Sequence, residues 1–410
     1  MKGHLLFERI YIWAITLVIF FQTVFPKLVP ITIILLFITI IFGVKKSYLE
    51  FKINLLNILF VGFYLAYFIG FFFTKDSALA KSYLENKLSF IIFPILFSFI
   101  PNFKLSLRIP TIGLITSIVL ITFWGFFKVY SCGFNNSFTN CLPYFSDIHH
   151  PTYFAVYILI SIALTIYGFQ QNWKGFSTKW VILYTIFGIV ISFLTFSLSA
   201  VLFLVIISGC FIWMQVKNKL GFKKTILLSS FLIIGLITFI LTTGFKEDFK
   251  YTFSSVKSYV NSPEDFLKNG NRYLIGNEVR LMLWTATGMV ISEHPLGVGT
   301  GSTDFYLSEK LQKYGLYDLA SYKYNPHNQF LQTFLEIGVF GFIILLLIVY
   351  FSITKAIKHK NWLLLIVVGS LIFNSLFESM LQRQSGIVFY TFWMCLLYIY
   401  IENKQRLINK

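Results

Sequence analysis

Apolar runs fill most of this chain and are separated by short polar breaks. A helix needs about 20 apolar residues to cross the hydrocarbon core of a bilayer. The runs near 10–25, 29–44, 53–73, 86–100, 109–129, 152–170, 180–197, 200–216, 225–244, 329–351, 362–380 and 386–401 predict twelve such spans. The fourth is short and contains Pro94. One long polar interruption, 245–328, separates the ninth span from the tenth. Its first part, 245–275, is polar and aromatic with Pro263 and Gly270, which predicts irregular structure or short helices. In its second part Val279, Leu283, Ala286 and Val290 recur at helical spacing, giving one apolar face, with Arg280, Trp284 and Thr287 on a neighbouring face. That helix is expected to end before Pro295, because the residue preceding proline avoids the helical region. No period of 20–50 residues recurs, which excludes a solenoid. No matched pair of broken helices marks two halves, as an inverted-repeat transporter would require. The expected fold is an all-α polytopic membrane protein, one integral membrane unit over 1–410 with a large external loop at 245–328.

Composition agrees with lipid as the solvent. Hydrophobic residues make up 57% of the 410 positions and charged residues 12%, and the mean hydropathy is +0.74. A soluble domain of this length could not hide so much apolar surface. The net charge of +17 raises nucleic acid as a partner, but Lys and Arg fall in small clusters between apolar runs and form no basic stripe. Their distribution sets an orientation instead. With the N-terminus cytoplasmic, the cytoplasmic ends hold 19 Lys and Arg against 6 in the short external loops, as the positive-inside rule requires. Both termini are therefore expected in the cytoplasm and the long loop in the periplasm, with the chain in a bacterial inner membrane. The first apolar run is followed by Phe25, Pro26 and Lys27 rather than a small-residue cleavage site, so it reads as a retained helix. Cys132 and Cys141 share an external loop, while Cys210 and Cys395 lie in apolar spans. An oxidising periplasm permits a Cys132–Cys141 disulfide, and spacing alone leaves the thiol and disulfide forms open.

Several residues could carry chemistry at the external face. His327 sits between Pro326 and the apolar run from Phe330. A neutral imidazole there, of ordinary pKa ~6.5, can accept a proton from a hydroxyl, and a charged one can hold a phosphate. The same position suits a helix-capping histidine. Gln329, Gln332 and Glu336 share a helical face. A carboxylate about two turns inside a bilayer costs roughly 2.5–3.5 kcal/mol, so Glu336 should face protein or a wet cavity. A regular helix points His327 away from it. Arg280 offers a planar fork suited to diphosphate oxygens, in a chain that otherwise favours Lys, although a snorkelling arginine fits the position equally. His149 and His150, Lys81, Glu85 and Lys87, and Asn374, Glu378 and Arg383 all fall at external helix ends. Together they could line one cavity; singly, each reads as a solubilising helix-end residue. In HPLGVGTGSTDF, Gly297, Gly299 and Gly301 permit positive φ or anion-facing amides, and a plain turn explains them as well. No HExxH, zinc-spaced cysteine pair, phosphate loop or dinucleotide fingerprint is present. No metal site or cofactor is expected, so the energy for a reaction must arrive with an activated substrate.

These motifs together resemble a known family. An arginine-bearing helix with a following Trp (Arg280, Trp284), a HPLGVGTG turn (His294–Gly301), PHN opening a helix (Pro326–Asn328) and the run LEIGVFG (Leu335–Gly341) are similar to the shared C-terminal region of the O-antigen ligase and polymerase superfamily. HPTYFA and ESMLQRQSG also look like versions found there, and the family-like region spans approximately 180–345. The resemblance implies a metal-independent glycosyltransferase of GT-C-like architecture, whose donor is an undecaprenyl-diphosphate-linked glycan. It implies that Arg280 holds the diphosphate and that His327 acts as base or phosphate ligand, with Trp284, Asn328 and His150 among the substrate contacts. The family often carries a further arginine in a short external turn. The matching segment FSLSAVLF has Leu198 there, leaving Arg272, Arg383 or Lys87 as substitutes. The expected reaction is transfer to the lipid A core, the ligase reaction. Extension of another lipid-linked repeat, the polymerase reaction, uses the same donor site. A transporter or flippase would instead place its polar site at mid-membrane.

Overall fold

The computed structural model describes residues 2–133, 141–195, 254–263 and 276–408. They fold mostly as helices: α1 (Lys2–Val24), α2 (Val29–Lys45), α3 (Leu55–Gly70), α4 (Ser77–Lys87), α5 (Ser89–Leu96), α6 (Arg108–Gly133), α7 (Pro151–Gln170), α8 (Thr178–Leu194), α9 (Gly276–Glu293), α10 (Thr303–Lys313), α11 (Tyr317–Ser321), α12 (Gln329–Lys358), α13 (Trp362–Ser375) and α14 (Gln384–Ile408). Their starts are written locally. Asn54, Asp76, Ser177, Asn328 and Asn361 cap α3, α4, α8, α12 and α13 by accepting early backbone N–H groups, and Pro opens α2 and α7.

Seven helices among the described residues are long and apolar enough to cross a membrane, and α8 and α13 are shorter apolar helices. The expected spans 200–216 and 225–244, with Cys210, lie outside the described residues. The expected span 86–100 is not one helix. The chain turns at Leu88, forms the short α5 and ends in a strand, β2 (Phe99–Pro101), which pairs antiparallel with β1 (Leu49–Phe51). Helix α7 has 89% of its apolar window buried and α14 has 83%, so both run through the centre of the bundle. Helix α2, at 28%, turns Ile31, Ile34, Leu35 and Ile38 outward, as a lipid-facing helix does.

The bundle has two distinct ends. At one, His4 packs on Tyr48 and Phe103, Asn403 donates to Pro101 O and Phe103 O (both 2.8 Å), and Glu402 pairs with Lys52 and Lys355. Both the start of α1 and the end of α14 lie here. At the other end, Cys132 and Cys141 form a disulfide. His149 Nε2 meets Thr23 O at 2.7 Å and its Nδ1 meets Ser385 Oγ at 3.1 Å, joining the end of α1 to the starts of α7 and α14. A carbonyl only accepts, so Nε2 carries the proton and Nδ1 accepts from the serine.

The segment 276–328 also belongs to this second end. It has its own apolar core, in which Met282, Leu283, Ala286 and Val290 of α9 pack with Val298, Leu307, Leu311, Leu319 and Leu335. What ties it to the bundle is a break in α12. Ile337 and Gly338 leave helical geometry, Gly338 with φ +67° and ψ −167°. The backbone groups released there are taken by the turn after α9. Val298 N donates to Leu335 O (2.8 Å), Gly299 N to Glu336 O (3.0 Å), and Val339 N to Pro295 O (3.1 Å). The same turn continues under α3, where Thr300 N donates to Gly70 O and Thr300 Oγ1 to Tyr67 O. Gly297, Gly299 and Gly301 all have positive φ. A side chain at Gly297 would come within 2.5 Å of Gly338 N, and one at Gly301 within 2.9 Å of the Ala80 backbone. The amides of 297–301 are thus all used inside the protein, so the glycines serve close backbone packing rather than an anion.

Two stability tests follow from this architecture. Gly338→Ala forces a Cβ into Leu296 at a φ/ψ reserved for glycine, a strain of at least ~1–3 kcal/mol. Detergent-extracted protein should show a markedly lower thermal midpoint; an unchanged midpoint at normal yield would mean that this joint is not structural. Burial pushes the His149 imidazole down to about 4 from 6.5, against the opposing pull of its Thr23 carbonyl contact. The unfolded chain therefore binds the extra proton first, and stability is lost as pH falls from about 6.5 towards 4. Thermal midpoints at pH 7 and pH 4.5 should show this fall, and it should be smaller in His149→Gln.

Candidate active site

Two turns meet at the second end of the bundle and are tied together by side chains. The first, 325–328, opens α12; the second, 376–383, joins α13 to α14. Asn328 Nδ2 donates to Leu376 O (3.2 Å), Ser379 Oγ to Asn325 Oδ1 (3.1 Å), and Tyr153 OH from α7 to Ser379 O (3.2 Å). From α9, Trp284 Nε1 donates to Pro326 O (2.8 Å), bracing the first turn from the opposite side.

His327 is held within this frame in a left-handed conformation, φ +46°, its amide donating to Asn325 Oδ1 (2.8 Å). Its Nδ1 lies 3.2 Å from Glu378 Oε2. The Glu378 side chain is 8% exposed and that of His327 is 25%, so the carboxylate is shielded while the ring can still be approached. Burial alone would raise the Glu378 carboxyl. The hydrogen bond from His327 and the neighbouring His327 and His150 charges outweigh it and hold the group below its ordinary value. An ionised Glu378 accepts from Nδ1–H, which directs the other ring nitrogen, Nε2, away from it.

Basic groups share the neighbourhood of this pair. Burial lowers His150, and among the charges it feels Glu378 opposes that shift, while Arg383, His327 and Arg280 reinforce it. Five residues from four places in the chain thus share one electrostatic neighbourhood: His150 before α7, Arg280 on α9, His327 before α12, and Glu378 and Arg383 in the turn before α14. Arg383 is exposed, and Arg280 and His150 are half-buried. The structure therefore gathers four of the expected site residues. Trp284 and Asn328 stand beside them with polar groups bonded to the protein: Trp284 braces Pro326, and Asn328 caps α12 through Phe330 N and Leu331 N. Arg272 and Leu198 lie outside the described residues.

Beneath the site is a buried polar layer. Lys87 is fully buried, with its ammonium 3.0 Å from Gln382 Oε1 and over the rings of Tyr67 and Tyr83. Gln382 Nε2 reaches Glu336 Oε1 at 3.4 Å, and Gly301 N donates to the same oxygen at 3.2 Å. Gln329 accepts from Leu381 N, and Gln332 donates to Thr303 Oγ1. The face that carries Gln329, Gln332 and Glu336 looks into protein, as the cost of a carboxylate in a bilayer demands.

The sequence does not show that His327 and Glu378 pair. Fifty-one positions separate them, and no local periodicity connects them. The available signal was that the PHN and ESMLQRQSG segments both bear polar groups at external helix ends.

No curated protein matches the chain. Residues 183–346 match the family model described as O-antigen ligase, and the matched range includes Arg280, Trp284, His327, Asn328 and the Ile337–Gly338 break. Over those residues, less than half of the 410-residue chain, this protein is similar to the O-antigen ligase family.

Proposed function

We propose that this protein transfers a glycan from an undecaprenyl-diphosphate carrier to a hydroxyl of the lipid A core, at the periplasmic face of the bacterial inner membrane. The observation that carries the reading is the His327–Glu378 pair, with His150, Arg280 and Arg383 in the same electrostatic neighbourhood, at one end of a membrane bundle. In this reading the acceptor oxygen attacks the anomeric carbon and the bond from that carbon to the diphosphate breaks. The hydroxyl proton passes to His327 Nε2. Glu378, on Nδ1, keeps the ring oriented and stabilises the imidazolium that forms. The electron pair leaves with the diphosphate, whose growing negative charge Arg280 and Arg383 offset, with His150 beside them. Lys87 acts from below, through Gln382, the neighbour of Arg383.

Two features support the periplasmic placement. The Cys132–Cys141 disulfide lies at the same end as the site, and disulfides persist in oxidising compartments. Lys and Arg divide 19 to 6 in favour of the opposite face in the expected topology. A polymerase acting on another lipid-linked repeat needs the same donor site. The lipopolysaccharide profile of a deletion strain separates the two: loss of all glycan-capped core marks a ligase, and a core bearing one repeat marks a polymerase.

Purified protein with lipid-linked donor and acceptor tests the chemistry. Arg280→Ala should reduce transfer by about 10²–10³ and His327→Ala by about 10²–10⁴, at normal protein level. Arg280→Lys should recover only part of the loss, because a point charge cannot reproduce bidentate geometry. Glu378→Gln should lower the rate at least about tenfold and alter its pH profile, since it removes the charge that stabilises the imidazolium. Transfer should persist in excess chelator. Either alanine variant working at more than about a tenth of the wild-type rate would remove that residue from the mechanism.

A further inference from the structure

A concave site near the His327–Glu378 pair is built from different chemistry. It is a cleft of about 570 Å³ between the start of α4 and the outer face of α10, with Lys323 at its edge. That volume lies within the range of about 300–1,000 Å³ usual for small-molecule sites. Its walls are fixed before any ligand arrives. Lys75 N donates to Ser302 Oγ (2.8 Å), Asp76 caps α4 through Leu79 N (2.9 Å), and Gly301, in the floor, packs on the Ala80 backbone.

Asp304, Phe305, Gln312 and Lys323 are the groups that face a ligand. Phe305 is 53% exposed, an aromatic ring held out on a helix that otherwise turns Leu307 and Leu311 inward. Asp304 is half-buried, yet among the described residues no hydrogen bond or ion pair reaches its carboxylate. Burial, then the nearby Glu336 charge, pushes it up to about 6 despite Lys323. Asp76 adds a second carboxylate against the two ammonium groups of Lys75 and Lys323, and Glu309 adds a third that is ion-paired with Lys313 at 2.8 Å. The cleft thus lacks the cationic excess that a phosphate-rich ligand needs. Carboxylate and amide groups beside an exposed ring instead suit a sugar, whose hydroxyls donate to acceptors while its C–H face lies on the aromatic. The cleft also lies near the reacting centre. Lys323 is followed by Tyr324, whose ring lies 5.8 Å from that of His327 and stacks with Tyr322 at 5.4 Å.

We propose that the α4–α10 cleft is a saccharide-binding subsite, which grips an uncharged stretch of sugar chain through Asp304, Gln312 and the Phe305 ring while the reacting end lies at His327. The assignment extends the glycosyltransferase reading, but its binding test does not depend on it. The sugar chain comes from the donor's glycan or from the acceptor, and the kinetics tell which.

The probe is carrier-free oligosaccharide repeat, released from the host's own surface glycan and offered to detergent-purified full-length protein. Saturation-transfer NMR reads binding without turnover. Wild type should bind it; Asp304→Asn and Phe305→Ala should each weaken binding tenfold or more, and Arg280→Ala should bind normally. Phe305 and Gln312 lie at the surface, so Phe305→Ala and Gln312→Ala keep the test available if Asp304→Asn folds poorly. No saturation transfer to wild type at millimolar sugar, or equal binding by folded variants and wild type, overturns the proposal. In turnover assays a raised KM for lipid-linked donor alone assigns the cleft to the donor's glycan, and a raised KM for acceptor alone assigns it to the acceptor; unchanged KM for both overturns it. Sugar binding lost in Asp304→Asn while Arg280→Ala still transfers normally would uphold the cleft and refute the diphosphate assignment.

Discussion

A helix that breaks inside a membrane protein must find partners for the backbone groups it releases, because an unpaired amide or carbonyl in apolar surroundings costs several kcal/mol. In this protein α12 breaks at Ile337–Gly338, and the turn 295–301 supplies the missing partners. That exchange of hydrogen bonds is the constraint on which the rest depends. The turn begins directly after α9, which carries Arg280, and leads directly into α10, which carries Asp304. It is also threaded under Gly70 of α3 and against Ala80 of α4. Locking the turn to α12 therefore fixes the ends of α3, α4, α9 and α10 against the break in α12.

The same economy of pairing governs the charges. Three carboxylates among the described residues are buried near this end of the bundle; Glu278 accepts from Ser255, and each of the other two has a basic group close by. Glu378 meets His327 directly, whereas Glu336 meets Lys87 through the Gln382 amide. The direct pair is partly open to approach; the indirect one is sealed under Tyr67 and Tyr83. One is placed to exchange protons with a ligand, and the other to hold the 376–383 turn in position. Positive charge collects around the first, while the neighbouring cleft is richer in carboxylates. In the proposed reaction, the anionic and hydroxylated parts of the substrate would meet separate surfaces.

Much of this was legible in the chain. Long apolar runs imposed a polytopic helical membrane protein, since no water-soluble core could bury 57% hydrophobic residues. Local chemistry marked the helix starts, and the 3.6-residue period drew α9 with Arg280 and Trp284 on it. The residues Arg280, His150, His327 and Arg383 are marked by the motifs that carry them, since each by itself also suits an ordinary helix end. The short α5 was not legible: hydropathy averages over a window, and a turn at Leu88 with a strand at Phe99–Pro101 is invisible to it.

What the tertiary structure alone decided is who meets whom. Glycines at 297, 299 and 301 announce an unusual backbone but not whether ligand or protein approaches it; the answer came from a second glycine-bearing break some forty residues on. The Glu378 partner of His327 and the Gln382 link between Lys87 and Glu336 span 51 and 295 positions of sequence. Composition and periodicity report each segment's preference for lipid, water or helix, which is a local property. Pairing between distant polar groups depends on how the helices pack, and only the folded chain specifies that.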